Sequence, residues 1–312
     1  MIEQVIQVAS SYWYLVLAPL GLFKYEGAMT TFDLSIMSAF FLFFCPVVLI
    51  PLLFFGVRAP YGKFASTNSN EGESAVSKWW RRISSKTDIV LNGRFAFAFQ
   101  ESFALSSFLY VLLTCEWNWQ DNFWLNAQQV IATAMFIGHY IHRAFIFTLI
   151  RTHSMSDSTL STMLMACFFC SCNGYLNAKG IWIYSGGYFG AINVIIMLLG
   201  MILYIIGFYI NFQSDQILIN LRKKNQTTDS EKKYFIPTGG LYKYVSTPNY
   251  FGESVEWFGY FMCIQNRFAF LFVILTLSNL LPRAVQTHQW YLNKFGDKYR
   301  SLNRKAFVPY LL

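Results

Sequence analysis

At 312 residues the chain is long enough for one or two domains, yet 55% of it is hydrophobic, only 13% is charged and mean hydropathy is +0.36. A soluble protein of this size has no interior large enough for so much apolar surface, so composition excludes a soluble enzyme, a disordered chain and a disulfide-stapled secreted domain. The net charge of +8 is sorted by position: seven Lys or Arg in 58–94, six in 213–248 and six in 283–312, against none in 115–124 and one each in 178–186 and 264–267. Such alternation matches basic loops kept on the cytoplasmic side of a membrane, with no nucleic-acid partner implied.

In chain order, residues 4–23 are free of charge but have no basic leader, contain Pro19 and precede no small-residue cleavage site, so 1–30 reads as an interfacial or additional apolar helix. Seven spans follow, at about 33–56, 95–114, 125–150, 157–177, 187–211, 249–265 and 268–285, each near the ~20 residues that cross a bilayer core. Starting from outside, they put every basic loop in the cytoplasm. The expected fold is therefore all-α, a polytopic membrane protein of seven transmembrane helices with an additional N-terminal apolar segment, the membrane domain running over 31–312. The last two spans, separated by Gln265-Asn266-Arg267, predict a tilted hairpin near the outer face. Residues 64–77 and 223–233 read as loop and solvated connector. Cys167, Cys170 and Cys172 lack the fourth ligand and the paired half that zinc requires, so they and Cys45, Cys115 and Cys263 read as packing thiols and no metal is expected. No GxGxxG follows a strand and no P-loop occurs, so a nucleotide site here is of neither kind.

Ionisable and amide groups at membrane depth are costly, which makes them functional candidates. Gln100-Glu101 enters an apolar helix, where a desolvated acid has raised proton affinity and can polarise a carbonyl oxygen. In GHYIHR, 138–143, His139 and His142 share a face, while Tyr140 needs a hydroxyl partner, for which a carboxyl on a neighbouring helix is suited. Asn211, Asp215 and Arg222 form one stripe that runs from amide and carboxyl to cation, an order that suits a dinucleotide entering from the cytosol. Gly239-Gly240 supplies a turn, Thr247 caps, Pro248 starts a helix, and Asn249, Glu253 and Glu256 follow at spacings of four and three. Those acids need donors from a ligand or an arginine. Arg283, His288 and Tyr291 then leave the last span and could complete a phosphate and ribose pocket.

These segments resemble the steroid 5-alpha-reductase family. The likeness runs from Tyr61-Gly62-Lys63 to the terminus through Gln100-Glu101, GHYIHR, Phe169 to Leu176, Asn211 to Arg222, Ile236-Pro237 with Gly239-Gly240-Leu241, Asn249 to Trp257, and Trp290-Tyr291-Leu292 with Lys294-Phe295. It implies a seven-helix enzyme that binds NADPH on its cytoplasmic side, mainly through about 187–312, and reduces an enone. By the family pattern Glu101 and Tyr140 hydrogen-bond the 3-oxo group of the substrate, assisted by Gln100, with Phe97, Phe169 and Trp257 lining the sterol slot. Asn211, Asp215, Arg222, Tyr234, Asn249, Glu253, Arg283, His288 and Tyr291 would bind the cofactor. The chain departs from the pattern at Phe235, where the family is usually basic, at 151–154, which lack Arg-Gly-Arg, and at Thr287, often histidine.

The implied activity is NADPH-dependent reduction of the 4,5 double bond of 3-oxo-4-ene steroids by a monomer in the bilayer, in the endoplasmic reticulum of a eukaryote or the inner membrane of a bacterium. Alternatives are reduction of another lipid enone or a polyprenol-type substrate, a membrane lipid methyltransferase, and a non-catalytic sterol-binding protein. Methyl transfer needs no acid pair such as Glu101 with Tyr140, and a sterol binder needs no Asn211/Asp215/Arg222 stripe.

Overall fold

The fold, taken from a computed structural model, is described for Phe32, Asp33, Ile36 and residues 89–117, 119, 121–153, 155–185, 189–226 and 234–312. The expected segment 1–30, most of the first span, the loop 64–77 and Cys45 lie outside them. Six long helices occupy the remaining predicted spans: α1 (Gly93–Thr114), α2 (Phe123–Ile141), α3 (Leu160–Trp182), α4 (Ala191–Gln226), α5 (Pro248–Ile264) and α6 (Arg267–Phe295), followed by the short α7 (Asp297–Arg300). Asparagine side chains start several of them, Asn92 accepting from the Arg94 and Phe95 amides, Asn122 from those of Trp124 and Leu125, and Asn266 from that of Ala269. Two short strands that the all-α expectation omits, β1 (Val90–Leu91) and β2 (Ser158–Thr159), pair antiparallel and bring the starts of α1 and α3 together.

Four helices among the described residues are long and apolar enough to cross a membrane: Gly93–Thr114, Phe123–Arg151, Ala191–Lys223 and Arg267–Phe295. The seven expected crossings are thus met in part. With 17 residues, α5 reaches only about 26 Å at 1.5 Å per residue, and α3 is diluted by Ser161, Ser171, Asn173, Asn177 and Lys179. On α4 the exposed residues Ile192, Ile195, Leu199, Ile202, Ile206 and Tyr209 recur every three or four positions, an apolar stripe suited to lipid. Exposed Trp117, Trp119 and Trp124 at the α1–α2 connection form the aromatic rim expected at a membrane interface.

Glycines set the closest helix contacts. A Cβ at Gly207 would lie 2.2 Å from the Glu256 amide nitrogen, at Gly252 2.6 Å from that of Asn211, at Gly259 2.4 Å from that of Tyr204 and at Gly200 2.5 Å from that of Cys263. Along both helices these glycines are seven apart, and their pairing, Gly200 near Gly259 and Gly207 near Gly252, makes α4 and α5 antiparallel with backbones touching from one pair to the other. Gly174 does the same for α3 against α1, where a Cβ would meet the Ala104 carbonyl oxygen at 2.1 Å. At the far end from the site, Gln265 in left-handed conformation (φ 54°) turns α5 into α6, as the hairpin expectation required, and exchanges two 2.8 Å hydrogen bonds with Asn193. There too Tyr184 donates to Asp33, which also lies 3.9 Å from Lys179 Nζ and ties the start of the first span to α3.

Gly207→Val forces the two backbones apart and is expected to destabilise the protein by about 1–3 kcal/mol or more. Gly138→Ala, whose Cβ meets nothing within 4 Å, should be neutral or stabilising by up to ~1 kcal/mol. Thermal unfolding of the two variants in detergent checks the contrast.

Candidate active site

The glycine seam decides what meets at one end of the bundle. Just beyond Gly207 and Gly252 the side chains can no longer be small, and the stripe carries Asn211 and Asp215 on α4 opposite Asn249 and Glu253 on α5. Asn211 Nδ2 donates to the Asn249 carbonyl oxygen at 3.0 Å and to Glu253 Oε2 at 3.4 Å, and Asn249 Nδ2 donates to Asp215 Oδ1 at 3.2 Å. The donor that the two acids need is Arg143: Nη1 lies 3.2 Å from Asp215 Oδ2 and Nη2 3.4 Å from Glu253 Oε2. Its guanidinium sits 5.3 Å from the ring centre of Phe97 and 5.0 Å from that of Phe147, an aromatic lining that suits a delocalised cation.

Arg143 reaches this position because α2 changes its winding. From His142 to Arg151 the chain is a π-helix, which turns side chains relative to a continuing α-helix. His139 and His142, one α-turn apart where this stretch begins, do not act as a pair. His139 Nδ1 lies 2.6 Å from Glu256 Oε1, both groups buried, and His142 Nε2 lies 3.0 Å from Arg151 Nη1. Arg151 also donates to Gln216 Oε1 at 2.9 Å, and Arg94 donates to the Thr148 and Leu149 carbonyls at 3.0 and 2.8 Å, satisfying the exposed end of the π-helix.

Glu101 and Gln100 stand on α1, with Gln100 Nε2 3.5 Å from Glu101 Oε1. Tyr140 on α2 is 3% exposed, packed among Phe136, His139 and Trp257. The hydrogen bond found at its hydroxyl is to an amide and not to a carboxyl as the sequence reading expected: Asn173 Nδ2 donates to it at 3.0 Å. Glu101 is close enough to Tyr140 and to Arg143 for their charges to interact. Trp257, 1% exposed, forms a floor with Tyr260 and with Phe272, which Phe169 also touches. Glu101 and Tyr140 thus stand on packed helices beside these rings, and donors so placed can polarise an oxygen in a dry setting.

The remaining predicted residues gather around the 3₁₀ turn Gly240–Lys243 and the C-terminal segment. Tyr234 packs edge-on to Trp290 at 4.9 Å, Tyr291 stacks on Tyr299 at 5.0 Å, and Arg283 lies 5.4 Å from the Tyr250 ring centre. Arg222 is exposed at the end of α4, and its charge reaches Tyr242 and Tyr291. His288 Nδ1 is 2.6 Å from Ser246 Oγ, which also meets the Tyr299 hydroxyl at 2.7 Å. Burial raises the Tyr299 phenol above its usual pKa, so the group stays protonated at neutral pH. The chain after α7 is docked: the Lys305 carbonyl accepts from the Ser246 amide at 2.8 Å and its own amide donates to the Tyr244 carbonyl at 2.9 Å, Arg304 donates to the Pro237 carbonyl at 2.9 Å, and Thr247 Oγ1 donates to the Ala306 carbonyl at 2.8 Å. Thr247 thus holds the tail and makes no side-chain cap on α5, although Pro248 begins that helix as expected.

Two clusters are therefore assembled, Gln100/Glu101/Tyr140/Trp257 and Asn211/Asp215/Asn249/Glu253, with Arg143 joining them. Sequence reasoning quoted Arg143 within GHYIHR and missed its role, although a cation closing a charge-free run is itself the signal. Ser246 carried no signal. Arg143→Leu leaves the buried Asp215 and the half-buried Glu253 without their cation and is expected to cost about 3–5 kcal/mol, while Arg143→Lys, a single ammonium in place of a two-pronged fork, recovers only part of it. Chemical or thermal unfolding in detergent reads both.

Residues 156–312 match the family described as 3-oxo-5-alpha-steroid 4-dehydrogenase. The bovine 3-oxo-5-alpha-steroid 4-dehydrogenase 1 is 34% identical over 260 residues, 82% of this chain and 89% of that protein. The mouse protein of the same name is 37% identical over 187 residues, covering 60% of this chain and 70% of its own length, and the steroid 5-alpha-reductase DET2 of Arabidopsis thaliana is 34% identical over 197 residues, 60% and 71%. A relative above 30% identity matched over most of both lengths is decisive, and the chain belongs to the steroid 5-alpha-reductase family.

Proposed function

We propose that this chain is a membrane-embedded, NADPH-dependent reductase of the 4,5 double bond of 3-oxo-4-ene steroids, giving 5-alpha-dihydro products. The observation that carries the reading is that Glu101 and Tyr140 stand within electrostatic reach of each other, beside a largely buried belt of amides and carboxylates. The chemistry of that belt fits the polar parts of a nicotinamide dinucleotide: Asp215 and Glu253 accept from ribose hydroxyls or a carboxamide, Asn211 and Asn249 both donate and accept, and Arg222, Arg283, Tyr234, His288 and Tyr291 supply cations and donors for phosphates. When bound, the cofactor supplies the hydride for the alkene carbon beta to the carbonyl.

The chain's own residues do the rest. Glu101, acting as an acid, and Tyr140 hold donors toward the 3-oxo oxygen, where negative charge develops as the double bond is reduced, and Gln100 steadies the Glu101 carboxyl. Donors fixed in advance in a dry pocket stabilise that charge more than water does. Phe97, Phe169 and Trp257 offer flat apolar surfaces to the fused rings and exclude solvent. Arg143 keeps the two belt carboxylates in place and puts a positive field near Glu101. The site faces the cytosol in this reading, with the membrane as the source of the steroid. The names of the relatives favour a steroid over a polyprenol and over methyl transfer.

Purified full-length protein is expected to consume NADPH with testosterone or progesterone and not with the 3-hydroxy analogue lacking the activated carbonyl; equal rates with both would contradict carbonyl activation. Glu101→Gln and Tyr140→Phe should each lower kcat by about 10²–10⁴-fold, the span of a positioned acid, with NADPH affinity nearly unchanged, as read by steady-state kinetics and cofactor titration.

A further inference from the structure

The amide orientations around Tyr140 follow from a single backbone atom. Asn177 lies one turn after Asn173 on α3, and its side-chain nitrogen is 2.9 Å from the Asn173 carbonyl oxygen and 2.9 Å from Asn173 Oδ1. A backbone carbonyl only accepts, so the Asn177 atom facing it is the NH₂ group, and the Asn173 atom facing that NH₂ group is the oxygen. Asn173 then presents its own NH₂ group to the Tyr140 hydroxyl at 3.0 Å. Turned over, Asn173 would set donor against donor toward Asn177 and would capture the phenol proton with its oxygen. Tyr140, Asn173 and Asn177 are 3%, 2% and 1% exposed, so water does not compete for these bonds.

A phenol has one proton. Because the Tyr140 oxygen accepts from Asn173, that proton is directed to another acceptor, and in the substrate complex the available one is the steroid oxygen shared with Glu101. The register of α3 is fixed for this purpose by Gly174, packed on the Ala104 carbonyl and on Ser107 Oγ, one helical turn along α1 from Glu101.

We propose that Asn173, locked by Asn177, is a positioning residue that directs the Tyr140 hydroxyl proton into the active site; this rests on the reading of Tyr140 as a donor to the substrate carbonyl. The full chain in detergent or nanodiscs, with NADPH and testosterone, tests it through a double-mutant cycle on single-turnover rate, steroid KM and NADPH Kd. Asn173→Asp keeps the shape and exchanges the donor for an acceptor. It is expected to slow turnover by about tenfold or more, with KM and Kd within about twofold, and to change the rate by less than about twofold in a Tyr140→Phe background. Asn177→Leu, which frees the Asn173 amide to turn, should give a smaller loss that likewise vanishes without the hydroxyl, and it carries the test should Asn173→Asp fail to fold. Equal losses with and without the Tyr140 hydroxyl, or wild-type rates in both variants, overturn the assignment. A wild-type rate in Tyr140→Phe alone identifies the separate failure of the donor reading, and the assignment falls with it.

Discussion

At Gly207 and Gly252 the backbones of α4 and α5 approach until one added methyl group has no room, and the polar chemistry of the molecule is arranged around that contact. In lipid there is little hydrophobic drive between helices, so close packing of small residues must supply the association. Once the two helices touch, Asn211, Asp215, Asn249 and Glu253 are brought face to face one turn further on, where their mutual bonds and Arg143 compensate for burial. Without the arginine the arrangement would hold two acids in a dry place with too few donors.

The rest of the bundle brings the acid groups to this belt. The shift of α2 from α to π winding at His142 turns Arg143 toward the belt while Tyr140, still on the α-helical part, stays over Trp257. On the other side α3 and α1 are pinned by Gly174 and by the β1–β2 pair, which sets the height of Asn173 relative to Glu101. His139 and Glu256 form a separate buried pair beneath.

Much of this was legible in the sequence because the membrane makes polar residues conspicuous. Glu101, Asn211, Asp215, Asn249 and Glu253 stand out in apolar helices, and helical spacing alone places the last four on two stripes. The helical hairpin at Gln265-Asn266-Arg267 could be read from its length. Partner choice could not: His139 pairs with Glu256 and not with His142, Tyr140 binds an amide and not a carboxyl, and Thr247 holds the C-terminal segment, because each depends on which helices touch and at what height. The number of crossings was also beyond periodicity, since α3 and α5 are helical at the expected positions but too polar or too short by length and composition alone.

In the proposed reaction, donors on α1 and α2 activate a carbonyl so that the adjacent double bond, not the carbonyl carbon, is reduced. Cofactor carrying deuterium at its transferable position, incubated with the purified chain and a 3-oxo-4-ene steroid, tests it by locating the label in the product. The account predicts deuterium on the alpha face of the carbon beta to an intact carbonyl, with a solvent proton on the neighbouring carbon. Label on the oxygen-bearing carbon of an alcohol product, or no transfer by folded protein that binds both molecules, would contradict it.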